Sequence, residues 1–227
     1  MKGNSNSVVL IVGASSGIGA ACAEYLRHSG YRVYGTSRRA PSPGETRNRD
    51  TSPAGTMEMI RMDVDDDDSV ARGIDYVVRR EGRLDVLINS AGYALAGAVE
   101  DTTVEEAKSQ FETNFFGSLR LCRAALPVMR DQRDGYIVFI GSAAGIVSLP
   151  FQSMYSASKF ALEGFVEALR MEVAPFGIRV VLIEPTDFRT VITANRRRTA
   201  ASSSSGSAYT ERFTAALSVT ESGETQG

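Results

Sequence analysis

Little in this chain of 227 residues points to metal, disulfide or membrane chemistry. It has one histidine, His28, and two cysteines, Cys22 and Cys122. A zinc site draws on several His, Cys and carboxylate ligands at short spacing, and no such cluster is present. Two cysteines without motif spacing make no disulfide framework, so reduced thiols are expected. The lone His28 falls near the end of a helical stretch, where it helps that terminus rather than catalysing anything. Long apolar runs are also missing. The N-terminal MKGNSNSVVLIVGASSG is apolar for only five residues before turning to Gly and Ser, too short for a signal-peptide core or a membrane span. Nor is there an excess of one charge: Lys and Arg number 25 against 27 Asp and Glu, a net charge of -2. That balance leaves no global basic field for nucleic acid or an anionic membrane. The expectation is a soluble, cytoplasmic protein with a small-molecule partner.

With 43% hydrophobic and 23% charged residues, the chain has the composition of a globular fold. Short apolar runs rich in Val and Ile recur at 8–12, 32–36, 57–62, 84–89, 136–140 and 179–184, as strands buried on both faces do. Between them, amphipathic stretches at 18–29, 66–81, 103–131 and 153–175 predict helices. Strand alternating with helix predicts an α/β fold, a doubly wound parallel sheet with helices on both faces, as one domain over 1–227. The breaker-rich piece 40–55 reads as a surface loop. Beyond Asn195 the Ser-rich stretch reads as a flexible loop, followed by a weak helical pattern near 209–218 and no further buried strand.

Directly after the first predicted strand stands Gly13-Ala14-Ser15-Ser16-Gly17-Ile18-Gly19, with a helical pattern opening at Ile18. Glycines there let the backbone turn tightly and approach a pyrophosphate, whose charge suits the free N–H groups of a helix N-terminus. At the end of the second strand, where a nucleotide site for NAD would carry an acid for the ribose, the sequence is Ser37-Arg38-Arg39. Guanidinium groups suit a 2′-phosphate, so NADP(H) is preferred over NAD(H). Two solvated arginines at a loop start remain the alternative.

Tyr155 and Lys159 lie four apart in QSMYSASKFALEG, on one face of a predicted helix. A tyrosine titrates near ~10, and a nearby cation is expected to lower that value. Ser142 follows the fifth strand in FIGSAAG, and Asn114 stands mid-helix in ETNFFGSL, where Asn is a poor helix former.

The spacing G-x-x-x-G-x-G, the run Asn89-Ser90-Ala91-Gly92 and the Y-x-x-x-K pair together resemble the short-chain dehydrogenase/reductase family over about residues 7–190. Within it, KFALEGFVEALRMEVAPFGIRVVLIEP is most similar to the branch of 17β-hydroxysteroid and retinol dehydrogenases. The resemblance implies a Rossmann-type fold, a nicotinamide cofactor and a carbonyl or alcohol substrate, lipophilic in that branch. It also implies a homodimer or homotetramer paired through the two long helices. It assigns Tyr155 as general acid and base, Lys159 to lower the Tyr155 pKa and bond the nicotinamide ribose, Ser142 to hold the substrate carbonyl, and Asn114 to link Lys159 to a water chain.

By the same resemblance, Asp63 and Val64 face adenine, Asn89, Ala91 and Gly92 let the nucleotide lie close, and Pro185, Thr186 and Thr190 contact the carboxamide. Asp63 is equally placed to cap the next helix, and Asp65 to Asp68 supply charge to that helix's N-terminus. The chain departs from the family in three places. Val12 stands where Thr is usual, and removes a hydroxyl that braces the turn. Thr186 stands where Gly is usual, and would be strained if φ there is positive. No seventh strand follows, as in a shortened member or an incomplete chain. Two further readings are a nucleotide-binding scaffold without efficient catalysis and a 3-oxoacyl thioester reductase.

Overall fold

The structure, a computed structural model, describes residues 7–45, 50–52, 55–186, 195–203 and 206–226. These form two compact units interleaved along the chain: 1–91, 116–140 and 166–182 in the first, and 92–115, 141–165 and 183–227 in the second.

The first unit is built on the central sheet. Its strands are β1 (Val8–Val12), β2 (Arg32–Ser37), β3 (Asp50–Ser52), β4 (Gly55–Arg61), β5 (Val86–Asn89), β7 (Gly135–Ile140) and β8 (Ile178–Ile183). They run in the order β3-β4-β2-β1-β5-β7-β8, six of them parallel. β1 is buried at all five positions, because it has a strand on each side and a layer on each face. The six parallel strands match the apolar runs of the sequence to within two residues.

Helices α1 (Gly17–His28), α2 (Asp67–Glu81) and α4 (Gly117–Gln132) complete this unit. α1 packs on β1, β2 and β4, while α2 packs on α4 and β4. On α2, Val70, Ile74 and Val77 are buried on one face. Asp66 caps it, its carboxylate accepting from the Ser69 N–H at 3.0 Å. The cap is therefore Asp66 and not Asp63. The acidic run also reaches a neighbouring helix: Asp67 pairs with Arg120, and lies 3.8 Å from Arg123.

Within the expected loop 40–55, of which 46–49 and 53–54 lie outside the described residues, a strand is found. Asp50 to Ser52 pair antiparallel with Met57 to Gly55, and Gly55 takes φ 150°. An edge strand needs backbone partners, not an apolar side-chain pattern, so periodicity does not reveal it.

The second unit holds α3 (Val104–Phe111), capped by Thr103 and Glu106 in a reciprocal capping box. A π-helical turn, Glu112–Phe116, follows, so the single helix expected over 103–131 is interrupted. This unit also contains the short pair β6 (Leu95–Ala96) with β9 (Arg197–Arg198). β9 is exposed at both residues, so the expectation of no further buried strand beyond Asn195 stands; at two residues it has no periodicity to read. The last helix, α6 (Thr210–Gln226), outruns the expected 209–218 and packs Phe213 and Leu217 on Ala96. α5 (Ser153–Val173) contributes its first part to this unit and its remainder to the first.

Candidate active site

In the first unit the strand order departs from β1 in opposite directions toward β2 and β5, a topological switch point. Two turns meet there. Gly13 has φ +82° and Gly17 φ +56°, conformations that L side chains avoid. Gly19 is required for a different reason: a Cβ on it would lie 2.3 Å from the Gly13 carbonyl oxygen. A Cβ on Gly13 would lie 2.9 Å from the Ala91 nitrogen, so this turn nests against the one after β5. Asn89 shapes that second turn, accepting from the Ala91 N–H at 3.1 Å and donating to Ser118 Oγ at 2.9 Å.

The hydroxyl that Val12 lacks is replaced from the adjacent strand. Thr36 Oγ1 accepts from the Gly13 N–H at 3.4 Å, and the Thr36 carbonyl accepts from Ala14 at 3.0 Å. Ser16 precedes α1 without a side-chain cap, and the first turn of α1 holds no acid. Ser15 is exposed and Ile18 half-buried beside these helix-terminal N–H groups. A phosphate suits that donor set. Arg38 and Arg39 are both exposed just beyond β2, the Arg39 N–H bonded to Ser37 Oγ at 3.2 Å. Asp63 is half-buried, its carboxylate accepting from the Asp65 N–H at 3.2 Å, and Val64 is buried.

The second unit brings Ser142, Tyr155, Lys159 and Asn114 together. Ser142 stands at the mouth of a 3-10 turn, where its Oγ accepts from the Ala144 N–H at 3.1 Å. Its flanks are tied to the 183–185 segment: Gly141 N–H donates to the Ile183 carbonyl at 2.7 Å and Ala143 N–H to that of Pro185 at 2.9 Å. Tyr155 packs against Ala94 and Ala144 and is 6% exposed. Burial pushes its phenol above the ordinary value, a shift opposed by its hydrogen bond with Ser142.

Lys159 Nζ lies 5.8 Å from the Tyr155 ring centroid. Burial brings this amine down to about 8, against the attraction of Glu163. The phenol is thus shifted upward and not, as expected, downward: burial outweighs the lowering by Ser142 and Arg196.

Asn114 lies in the π turn and is buried. Its amide takes the Tyr93 N–H at 3.2 Å and donates to the Tyr93 carbonyl at 3.1 Å and to Ser158 Oγ at 3.2 Å. Ser158 in turn donates to the Tyr155 carbonyl at 2.7 Å. Gly92 is kept small by the same side chain, since a Cβ there would lie 3.0 Å from Asn114 Oδ1.

Two residues overlooked in the sequence join this group. Gln110 is fully buried, accepting from the Leu95 N–H at 2.7 Å and donating to the Tyr93 carbonyl at 2.9 Å. Its position four before Asn114 is the signal that would have found it. Arg196 is the other, and the sequence around it gives no cue. Pro185 is half-buried and Thr186 exposed. Thr186 is not among the described non-glycine residues with positive φ, so the strain expected of it is not there. Thr190 lies outside the described residues.

A profile of the short chain dehydrogenase family matches residues 7–201. The chain belongs to this family. Among curated short-chain dehydrogenases it is 42% identical over 220 residues to the 3-ketodihydrosphingosine reductase of Bacteroides thetaiotaomicron, covering 97% of this chain and 78% of that one. It is 39% identical to retinol dehydrogenase 8 of Bos taurus, over 78% of this chain and 57% of that protein. The chain thus spans little more than half the length of that relative. In fold it matches a short-chain dehydrogenase from Streptomyces avermitilis with a TM-score of 0.83 and 38% identity, over 96% of this chain and 79% of the other. Two further solved members differ in cofactor. ElxO holds NADP (TM-score 0.75, 29% identity, 83% of this chain and 77% of that one). A Burkholderia phymatum protein holds NAD (TM-score 0.82, 25% identity, 97% and 80%). Among the described residues no helix is long and apolar enough to cross a membrane, and no group of three His, Cys, Asp or Glu is placed to hold a metal ion.

Proposed function

We propose that the chain is an NADP-dependent oxidoreductase moving hydride between nicotinamide and a carbonyl or secondary alcohol on a lipophilic substrate, with Tyr155 as general acid in reduction and base in oxidation. The observation that carries this reading is the buried grouping of Tyr155 with the Ser142 hydroxyl and the Lys159 amine. Ser142 holds the carbonyl oxygen, and Tyr155 delivers a proton to it as charge develops. Lys159, charged below about 8, stabilises the phenolate left behind. Bound nicotinamide supplies the hydride.

The cofactor preference rests on Arg38 and Arg39, exposed where an acid for the ribose would otherwise stand. The glycine turn and the uncapped start of α1 suit the pyrophosphate. Support for a lipophilic substrate comes from similarity to a 3-ketodihydrosphingosine reductase and to retinol dehydrogenase 8. One domain with its core at 7–190, cytoplasmic, and self-association through α4 and α5 belong to the same proposal.

Tyr155→Phe should lower turnover of ketone panels by at least about a thousandfold while NADPH binding, followed by fluorescence titration, stays within about twofold. Retained turnover would sink the mechanism, and tight NADPH binding with no turnover by the unmodified chain would favour a scaffold. Arg38→Ala should weaken NADPH by roughly tenfold or more and leave NADH nearly unchanged. Equal loss for both nucleotides overturns the NADP assignment.

A further inference from the structure

Arg196 stands just before β9, and its side chain is 2% exposed. Two carboxylates on one face of α6 hold it: Glu221 lies 3.4 Å from Nη1, and Glu224 takes Nη2. The third donor is different. Arg196 Nε is buried and has no hydrogen-bond partner among the described residues. A buried N–H without an acceptor costs its full desolvation.

The position of this donor gives it a use. The neighbouring Arg197 N–H donates to the Ala94 carbonyl at 2.9 Å, and Ala94 packs on Tyr155. The charges of Glu224 and Arg196 are both felt at the Tyr155 phenol, the first raising its pKa and the second lowering it. Arg196 therefore lies within electrostatic reach of the reacting group, and Nε, though buried, is its donor without an acceptor among the described residues.

The charges nearby fix the acceptor's class. Glu221 and Glu224 already offset the guanidinium, and the half-exposed Arg198 lies 3.8 Å from Glu221. With Arg196 and Arg198 set against Glu221 and Glu224 the cluster has no net charge to draw an anion to Nε, whereas a neutral oxygen would gain a charge-assisted hydrogen bond there. Resting on the reading of Tyr155 as the reacting group, we propose that Arg196 is a substrate-binding residue whose Nε–H donates to an uncharged oxygen, hydroxyl or carbonyl, that the substrate carries besides its reacting carbonyl. Selectivity for such doubly oxygenated ketones then comes from the buried donor, which a simple ketone leaves unmatched.

The test uses the full chain, NADPH and aliphatic ketones bearing a hydroxyl at increasing distance from the carbonyl, each paired with its deoxy parent. At least one hydroxyketone should exceed its parent in kcat/KM by about tenfold, mainly through a lower KM. In Arg196→Lys, which keeps the charge for both glutamates, that ratio should collapse to within about twofold. In Arg198→Lys, on the exposed side, it should persist. No preference in the unmodified chain, as when water fills the Nε position, or a preference surviving in Arg196→Lys, overturns the proposal. Calorimetric binding of the same pairs to the NADP+-loaded chain gives the ratio without turnover. Failure of catalysis and failure of the Arg196 assignment are thereby read separately, and equal affinities within every pair refute the latter.

Discussion

Burial acts on Tyr155 and Lys159 toward the same end, favouring the neutral form of each: the phenol is raised and the amine lowered to about 8. In the proposed mechanism the protonated phenol is the form that gives a proton in reduction. Reduction also draws on the Lys159 charge, which is lost as pH rises through about 8. Initial rates of NADPH oxidation should therefore decline on an alkaline limb centred near 8. In Lys159→Arg, whose guanidinium does not titrate there, the limb should move upward even if the rate falls. An unmoved limb would assign it to another group. The linkage has a definite sign. Unfolded, Lys159 holds its proton to about 10.5, whereas folded it releases it from about 8. Between those values the unfolded chain binds more protons, so this residue's contribution to stability rises with pH. Above about 10 the raised Tyr155 works the other way, because the folded chain then keeps a proton that the unfolded one has lost.

Among the elements, α3 and its π turn carry the least obvious task. Gln110 and Asn114 both present side-chain amides to the backbone of residues 93–95, supplying on one edge of β6 what a neighbouring strand would supply. β9 pairs with the same two residues, Leu95 and Ala96. Gln110→Ala leaves the buried Leu95 N–H without its acceptor and should cost about 1–3 kcal/mol of stability in denaturant titration. Amide exchange at Leu95 should quicken with it. An exchange rate unmoved in Gln110→Ala would show that β6 is held by β9 alone.

The sequence announces the strands of the central sheet because each is a short apolar run, and it announces the glycine turn because two positive φ values and one close approach admit nothing larger. Ser142, Tyr155, Lys159 and Asn114 were legible only as a set, since none is distinctive alone. What escaped reading was held by backbone partners or distant side chains. β3 and β9 are two or three residues long, and the Thr36 hydroxyl that braces Gly13 comes from 23 residues away. The Gln110 amide reaches back 15 residues to Leu95, and Arg196 meets its carboxylates 25 and 28 residues downstream. No local pattern encodes such pairings.

For the whole molecule, β3 has a consequence outside catalysis. Without it the seven-residue β4 would end the sheet, offering a row of backbone donors and acceptors to any passing extended chain. β3 covers Gly55 to Met57 of that row and the Arg61 N–H is taken by the Pro41 carbonyl, so only a short stretch of β4 and the three residues of β3 face outward. So short a template gives an incoming strand little to grip, and the chain is shielded on that side from edge-to-edge aggregation.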